Sequence, residues 1–173
     1  MPVTINGTSG LVTATTFSGS SLSGINTGKV LQVVSATKTD TQSFNSTSFT
    51  DITGLSASIT LSSSSNKVFI MANVYTSMGS TTQLINFVRD STNIAQPSGS
   101  ATNKATIFGY NQTTLNMHQQ SMSFLDTPGD TNAHTYKLQL KCFNTNAPVY
   151  VNRYNSVNDY YAISTITLME VAG

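Results

Sequence analysis

Apolar and polar residues alternate with a period of two along much of this chain. His134 to Phe143 (HTYKLQLKCF) sets Tyr136, Leu138, Leu140 and Cys142 on one side and Lys137, Gln139 and Lys141 on the other, the pattern of a strand with one buried face. Lys67 to Ser77 (KVFIMANVYTS) has Val68, Ile70, Ala72 and Val74 on one face and Phe69, Met71 and Tyr75 on the other. Tyr160 to Val171 (YYAISTITLMEV) is likewise apolar on both faces. Strands of that kind are expected to be covered on both sides. Further short strands are read at Val30 to Ala36, Ser48 to Ile52, Ser56 to Leu61, Gln83 to Arg89, Asn93 to Ala95, Thr106 to Tyr110, Met117 to Leu125 and Val149 to Val151.

The connections carry turn chemistry. Ser62 to Asn66 is a loop, because Ser and Asn side chains compete with ladder hydrogen bonds. Thr127-Pro128-Gly129-Asp130 is a turn with Pro at its second position and Gly supplying a positive φ at its third. Asp90 to Ala105, with Pro97 and Gly99, reads as a polar excursion. The expected architecture is all-β, a jelly-roll-like sandwich of about eight to ten strands. A last strand that runs almost to Gly173 is expected to lie inside a sheet.

Residues 1–28 break this pattern. Five of the eleven glycines fall there, between isolated apolar residues that include Phe17, Leu22 and Ile25. Such a stretch cannot build a core, so it reads as an extended arm that orders against a partner. The domain division is then arm over 1–28 and β-sandwich over 29–173, with Phe17, Leu22 and Ile25 as the attachment residues.

Composition reinforces the fold class and narrows the chemistry. Only 9% of the 173 residues are charged, and the net charge is +1. No basic face is expected to attract nucleic acid. Ser and Thr make up 51 residues, while Glu occurs once, at Glu170. Helix surfaces need Glu, Lys and Ala; Thr and Ser favour strands and turns. No run approaches a membrane span, and Met1-Pro2 leads into polar residues without a signal-peptide core, so synthesis in a cytoplasm without membrane insertion is expected.

Candidate chemistry is sparse. His118 and His134 are the only histidines, Cys142 has no CxxC partner, and no cofactor or metal is expected. His134 reads as a hydrogen-bonded structural residue. Asp126 and Asp130 flank the Pro-Gly turn and read as turn residues. No paired carboxylates or nucleophile elbow mark an enzyme. The one suggestive cluster is Tyr150, Asn152, Arg153, Tyr154, Asn155 and Tyr160. Tyr rings beside Asn and Arg donors can stack on a sugar or a protein surface.

The stretch from Gly28 to Ser77, beginning GKVLQVVSATKTDTQSF, resembles a domain recurrent in virion proteins of tailed bacteriophages, including those of cyanobacteria. NFVRDSTNIA (Asn86 to Ala95) and ISTITLMEVAG (Ile163 to Gly173) follow the same pattern. The resemblance implies a trimeric jelly roll in a virion and no catalytic residues. Its expected partners are other copies of itself and a major capsid protein or tail protein. A capsid decoration or cement role is expected first, and a tail-fibre or receptor-binding tip that grips host surface glycans is the alternative.

Overall fold

The computed structural model describes residues 28–79, 81–111, 116–145, 147–154 and 160–173. Among them are eleven strands and no helix: β1 (Val30–Lys38), β2 (Gln42–Phe44), β3 (Thr50–Thr60), β4 (Lys67–Met78), β5 (Thr81–Arg89), β6 (Thr92–Ile94), β7 (Ile107–Asn111), β8 (Met117–Asp126), β9 (Ala133–Cys142), β10 (Val149–Val151) and β11 (Ser164–Val171). They form two antiparallel sheets. The first runs β1-β11-β4-β8, with β10 continuing the lane of β11 along β4 and β2 pairing beyond β10. The second runs β3-β9-β5, with β6 and β7 sharing the far side of β5.

Setting aside the three-residue strands, the pairing is first with last. β1 pairs with β11, β3 with β9, β4 with β8 and β5 with β7, all antiparallel. That is the topology of a long hairpin rolled into two sheets, the jelly roll. The expected fold class therefore holds, and β11 lies inside its sheet between β1 and β4.

The core fills the space between the sheets. Val68, Ile70, Ala72 and Val74 of β4 and Ile166 and Leu168 of β11 meet Ile52, Leu55 and Ile59 of β3 and Tyr136, Leu138 and Leu140 of β9. Burying each aliphatic side chain contributes about 1.5–3 kcal/mol. Cys142 is buried as a free thiol, its Sγ 3.3 Å from the Phe44 carbonyl, and burial pushes its pKa up. Gly129 takes φ 83°, as the Pro-Gly turn requires.

Several expectations are corrected. The segments read as two strands, Ser48 to Ile52 and Ser56 to Leu61, are one strand interrupted by a bulge, where the register against β9 shifts between Asp51 and Ser56. Gly54 has φ 86° there, and the odd number of extra residues, three, lets both Ile52 and Leu55 point inward although three positions apart. The last strand begins at Ser164, not Tyr160; before it, Tyr161 makes only an isolated bridge to Arg153. Among the described residues, β4 and β11 each bury one face fully and leave the other mostly half-buried or exposed, and β11 turns Glu170 inward. The Asp90 to Ala105 excursion holds β6 and folds over the outer face of β5. Asn86 Oδ1 accepts from Gln96 Nε2 (3.1 Å) and from Thr106 N (3.2 Å), so Leu84 and Val88 are buried as well.

Glu170 anchors the loop before β4. Its Oε1 accepts from Ser62 N and Ser62 Oγ, both at 2.7 Å, and from Asn66 Nδ2 at 2.6 Å. Burial pushes its pKa up, but these hydrogen bonds outweigh that and hold the carboxyl below its ordinary value.

Candidate functional site

Two surfaces on the first sheet stand out. Register aligns Val33 of β1, Met169 of β11, Phe69 of β4 and Leu125 of β8 in one row across the outer face. Val33 is 57% exposed and Leu125 46%, while Phe69 and Met169 are half-buried. The next row is Ser35, Thr167, Met71 and Ser123, and the one after it Thr37, Thr165, Asn73 and Ser121. None of these twelve side chains is charged. Met71, Asn73, Ser121 and Ser123 line a shallow groove between β4 and β8. Asn73 Oδ1 accepts from its register partner Ser121 Oγ (2.7 Å) and from Gln119 Nε2 (3.1 Å) one row further along β8. The four apolar side chains of the first row form a continuous strip across the outer face, bordered by Lys67 at the start of β4, and such strips are common in contact surfaces.

The second surface is the tyrosine cluster beside β10. Arg153 lies over the Tyr150 ring, its guanidinium carbon 4.0 Å from the centroid, and Tyr154 and Tyr160 meet edge to face at 5.8 Å. Tyr160 and Tyr161 are both largely exposed. The backbone beneath is stiffened by Tyr154 N to Tyr160 O (3.0 Å), Ala162 N to Asn152 O (3.1 Å) and Ser77 Oγ to Arg153 O (2.7 Å). The structure thus gathers Tyr150, Arg153, Tyr154 and Tyr160.

It does not add Asn152 to them. Asn152 is fully buried at φ 61°. Its Nδ2 donates to Lys38 O (2.8 Å) and Asp40 O (3.1 Å), and its Oδ1 accepts from Ser164 Oγ. It brackets β10 to the ends of β1 and β11 and presents nothing to a ligand. Asn155, Phe17, Leu22 and Ile25 lie outside the described residues. Of the exposed row, Phe69 was visible in sequence as part of the second apolar face of a strand, as was Met71 of the row below it; Val33 and Leu125 gain their meaning only from register.

Acidic residues close one end of the sandwich. Asp126 is not a turn residue but the end of β8, and its Oδ2 accepts from Arg89 Nη1 (2.6 Å) and from Tyr136 Oη (2.7 Å). Burial pushes the Tyr136 hydroxyl far above its ordinary pKa, and the adjoining carboxylate adds to the shift. His134 joins two turns, with Nδ1 2.8 Å from Asp90 and Nε2 3.0 Å from Asp130. Both ring nitrogens donate only when the imidazole is charged. The hydrogen bond to Asp90, against partial burial and aided by Asp130, raises its pKa above 6.5. Asp90, held first by His134, and Asp130, held first by the Asn132 N–H, lie below 3.8. Arg89 is the other cation that acts on Asp90.

A histidine raised in the folded state stabilises fully below its unfolded pKa of 6.5, and that stability is lost as pH rises through the higher folded value. The two aspartates stabilise above 3.8, and that part is lost as pH falls through their lower folded values. The thermal midpoint is therefore expected to be highest between the two ranges and to fall on either side. His134→Gln should abolish the fall that begins just above 6.5 and keep an acid limb, since Asp51 and Glu170 are also lowered. An unchanged alkaline fall in the variant would assign it to another group.

No family model matches the chain, and no curated protein matches it. Among solved structures the chain is similar to one of the infectious bursal disease virus Gx strain, at 12% identity and a TM-score of 0.40, over 81% of this chain and 39% of that one. The chain thus spans well under half the length of that relative.

Proposed function

We propose that this chain is a non-enzymatic structural protein of a virion, a homotrimeric knob joined through residues 1–28 to a larger surface, most simply a capsid that it decorates or cements. The observation that carries the reading is the uncharged row Val33–Met169–Phe69–Leu125 on the outer face of the first sheet. The domain has its own complete core between the sheets, so this second apolar surface serves contact with other chains. The resemblance of Gly28–Gly173 to tailed-phage virion domains supplies the kind of particle. A tail or receptor-binding tip is the second reading, favoured by the exposed Tyr160 and Tyr161 beside the stacked Arg153–Tyr150 pair, a surface suited to sugar rings.

The test is the native mass of the full chain by light scattering, with Val33→Lys/Leu125→Lys as the comparison. Both positions are solvent-exposed, so the variant should fold, shown by an unchanged circular dichroism spectrum. The parent should have the mass of three copies and the variant that of one, and the variant should bind particles lacking the protein in far fewer copies. A single-copy mass for the parent overturns the reading.

A further inference from the structure

Among the described residues the two sheets have four free edges, and three of them are blunted. The β1 edge has a register shift between Val30 and Gln32. β6 and β7 are three and five residues long. The β3 edge is bulged at Gly54 and capped by a side chain: Gln42 Nε2 donates to Asp51 O (3.2 Å), and its Oε1 accepts from Thr53 N (2.9 Å). Such devices keep an edge from pairing with another chain.

β8 has none of them. It holds ten residues in unbroken register with β4. It has no Lys, Arg, Glu, Pro or Gly, and its one acid, Asp126, is buried at its end. Among the described residues no strand pairs with its other side. Phe124 and Gln120 on its inner face are only half-buried, and Leu125 ends the exposed row. The edge lacks one strand of cover on both faces.

The chain carries a segment with matching chemistry. Residues 1–27 contain no Asp, Glu, Lys, Arg or His, and Leu11–Phe17 (LVTATTF) is a run of β-favouring residues between Gly10 and Gly19. We infer that Leu11–Phe17 of one copy adds as a strand to the β8 edge of a neighbouring copy. The inference rests on the assembly reading in one respect. The chain enters at the β1 edge, where Lys29 O accepts from Ala172 N (3.0 Å), and β8 lies at the opposite edge of the sheet. With the outer face covered by a neighbour, the arm cannot cross it to reach its own β8. The eleven residues from Phe17 to Gly28 extend up to about 35–40 Å, ample for a neighbouring edge. Main-chain hydrogen bonds give such strand addition its affinity.

The experiment uses the full chain with Thr15→Pro, a change in the arm that removes one ladder N–H without touching the sandwich. Its probe is a synthetic peptide of residues 9–19, with and without the same proline, offered to a protein lacking residues 1–27. The Thr15→Pro chain should show a reduced trimer mass at low concentration. The parent peptide should bind and slow hydrogen exchange of the outward β8 amides, and the proline peptide should bind at least about tenfold more weakly. A Thr15→Pro chain that keeps its trimer mass and loses only particle binding overturns the strand exchange and leaves the assembly reading standing. A parent peptide that does not protect β8 overturns it as well. A parent protein of single-copy mass instead removes the assembly reading and, with it, the exchange between copies.

Discussion

Asp126→Ala is expected to lower the unfolding free energy by about 3 kcal/mol. The carboxylate sits at the end of β8 in one sheet and holds Arg89 of β5 and Tyr136 of β9 in the other. Arg89 is partly exposed and will find water when its partner is lost. Tyr136 will not: its side chain is fully buried, so its hydroxyl loses its acceptor in a closed space. The larger share of the loss is therefore the unsatisfied hydroxyl, and the smaller share is the ion pair itself. Asp126→Asn keeps the shape and an acceptor oxygen, and should cost about half as much. Tyr136→Phe leaves the Arg89 pair in place and should cost about 1 kcal/mol. Urea unfolding at one fixed protein concentration measures all three, since assembly would make the midpoints depend on concentration. A loss within about 0.5 kcal/mol for Asp126→Ala, the range of ordinary surface substitutions, would show that the two sheets do not depend on this clasp.

Asn152→Ala should be at least as costly, about 3–4 kcal/mol. The substitution leaves the carbonyls of Lys38 and Asp40 and the hydroxyl of Ser164 without the amide that joins them. It also places an alanine at φ 61°, which adds about 1 kcal/mol of backbone strain. Asn152→Gly should recover that last part alone, because glycine accepts the left-handed conformation but restores no hydrogen bond. The difference between the two variants in the same urea titration separates the backbone contribution from the bracket. Equal losses for Ala and Gly would mean that the positive φ carries no cost here.

These two residues also mark the limits of reading by local pattern. The strand with the clearest alternation, β9, buries Tyr136, Leu138, Leu140 and Cys142 as its spacing demands. The loop at 62–66, the Pro-Gly turn and the all-β class were equally legible, because a strand's two faces and a turn's φ values depend on residues within a few positions of one another. The tyrosine cluster could be seen for the same reason, since Tyr150, Arg153 and Tyr154 are near neighbours in the chain. Asn152, in the middle of that cluster, looked like its companions. What withdrew it was Lys38, 114 positions away, whose carbonyl needed a donor. Asp126 read as a turn residue until β9 and β5 brought Tyr136 and Arg89 to it.

The sequence by itself determined the all-β class, the place of most strands and the inward face of β9, because these follow from side-chain period and local backbone preference. Tertiary structure alone decided the first-with-last pairing, the merging of two short segments into β3 across a bulge, and the choice of which apolar face of β4 is covered within the chain. Each of those depends on which distant segment supplies the neighbouring strand. Alternation with a period of two is the same whether the covering layer is another sheet of this chain or another copy of it.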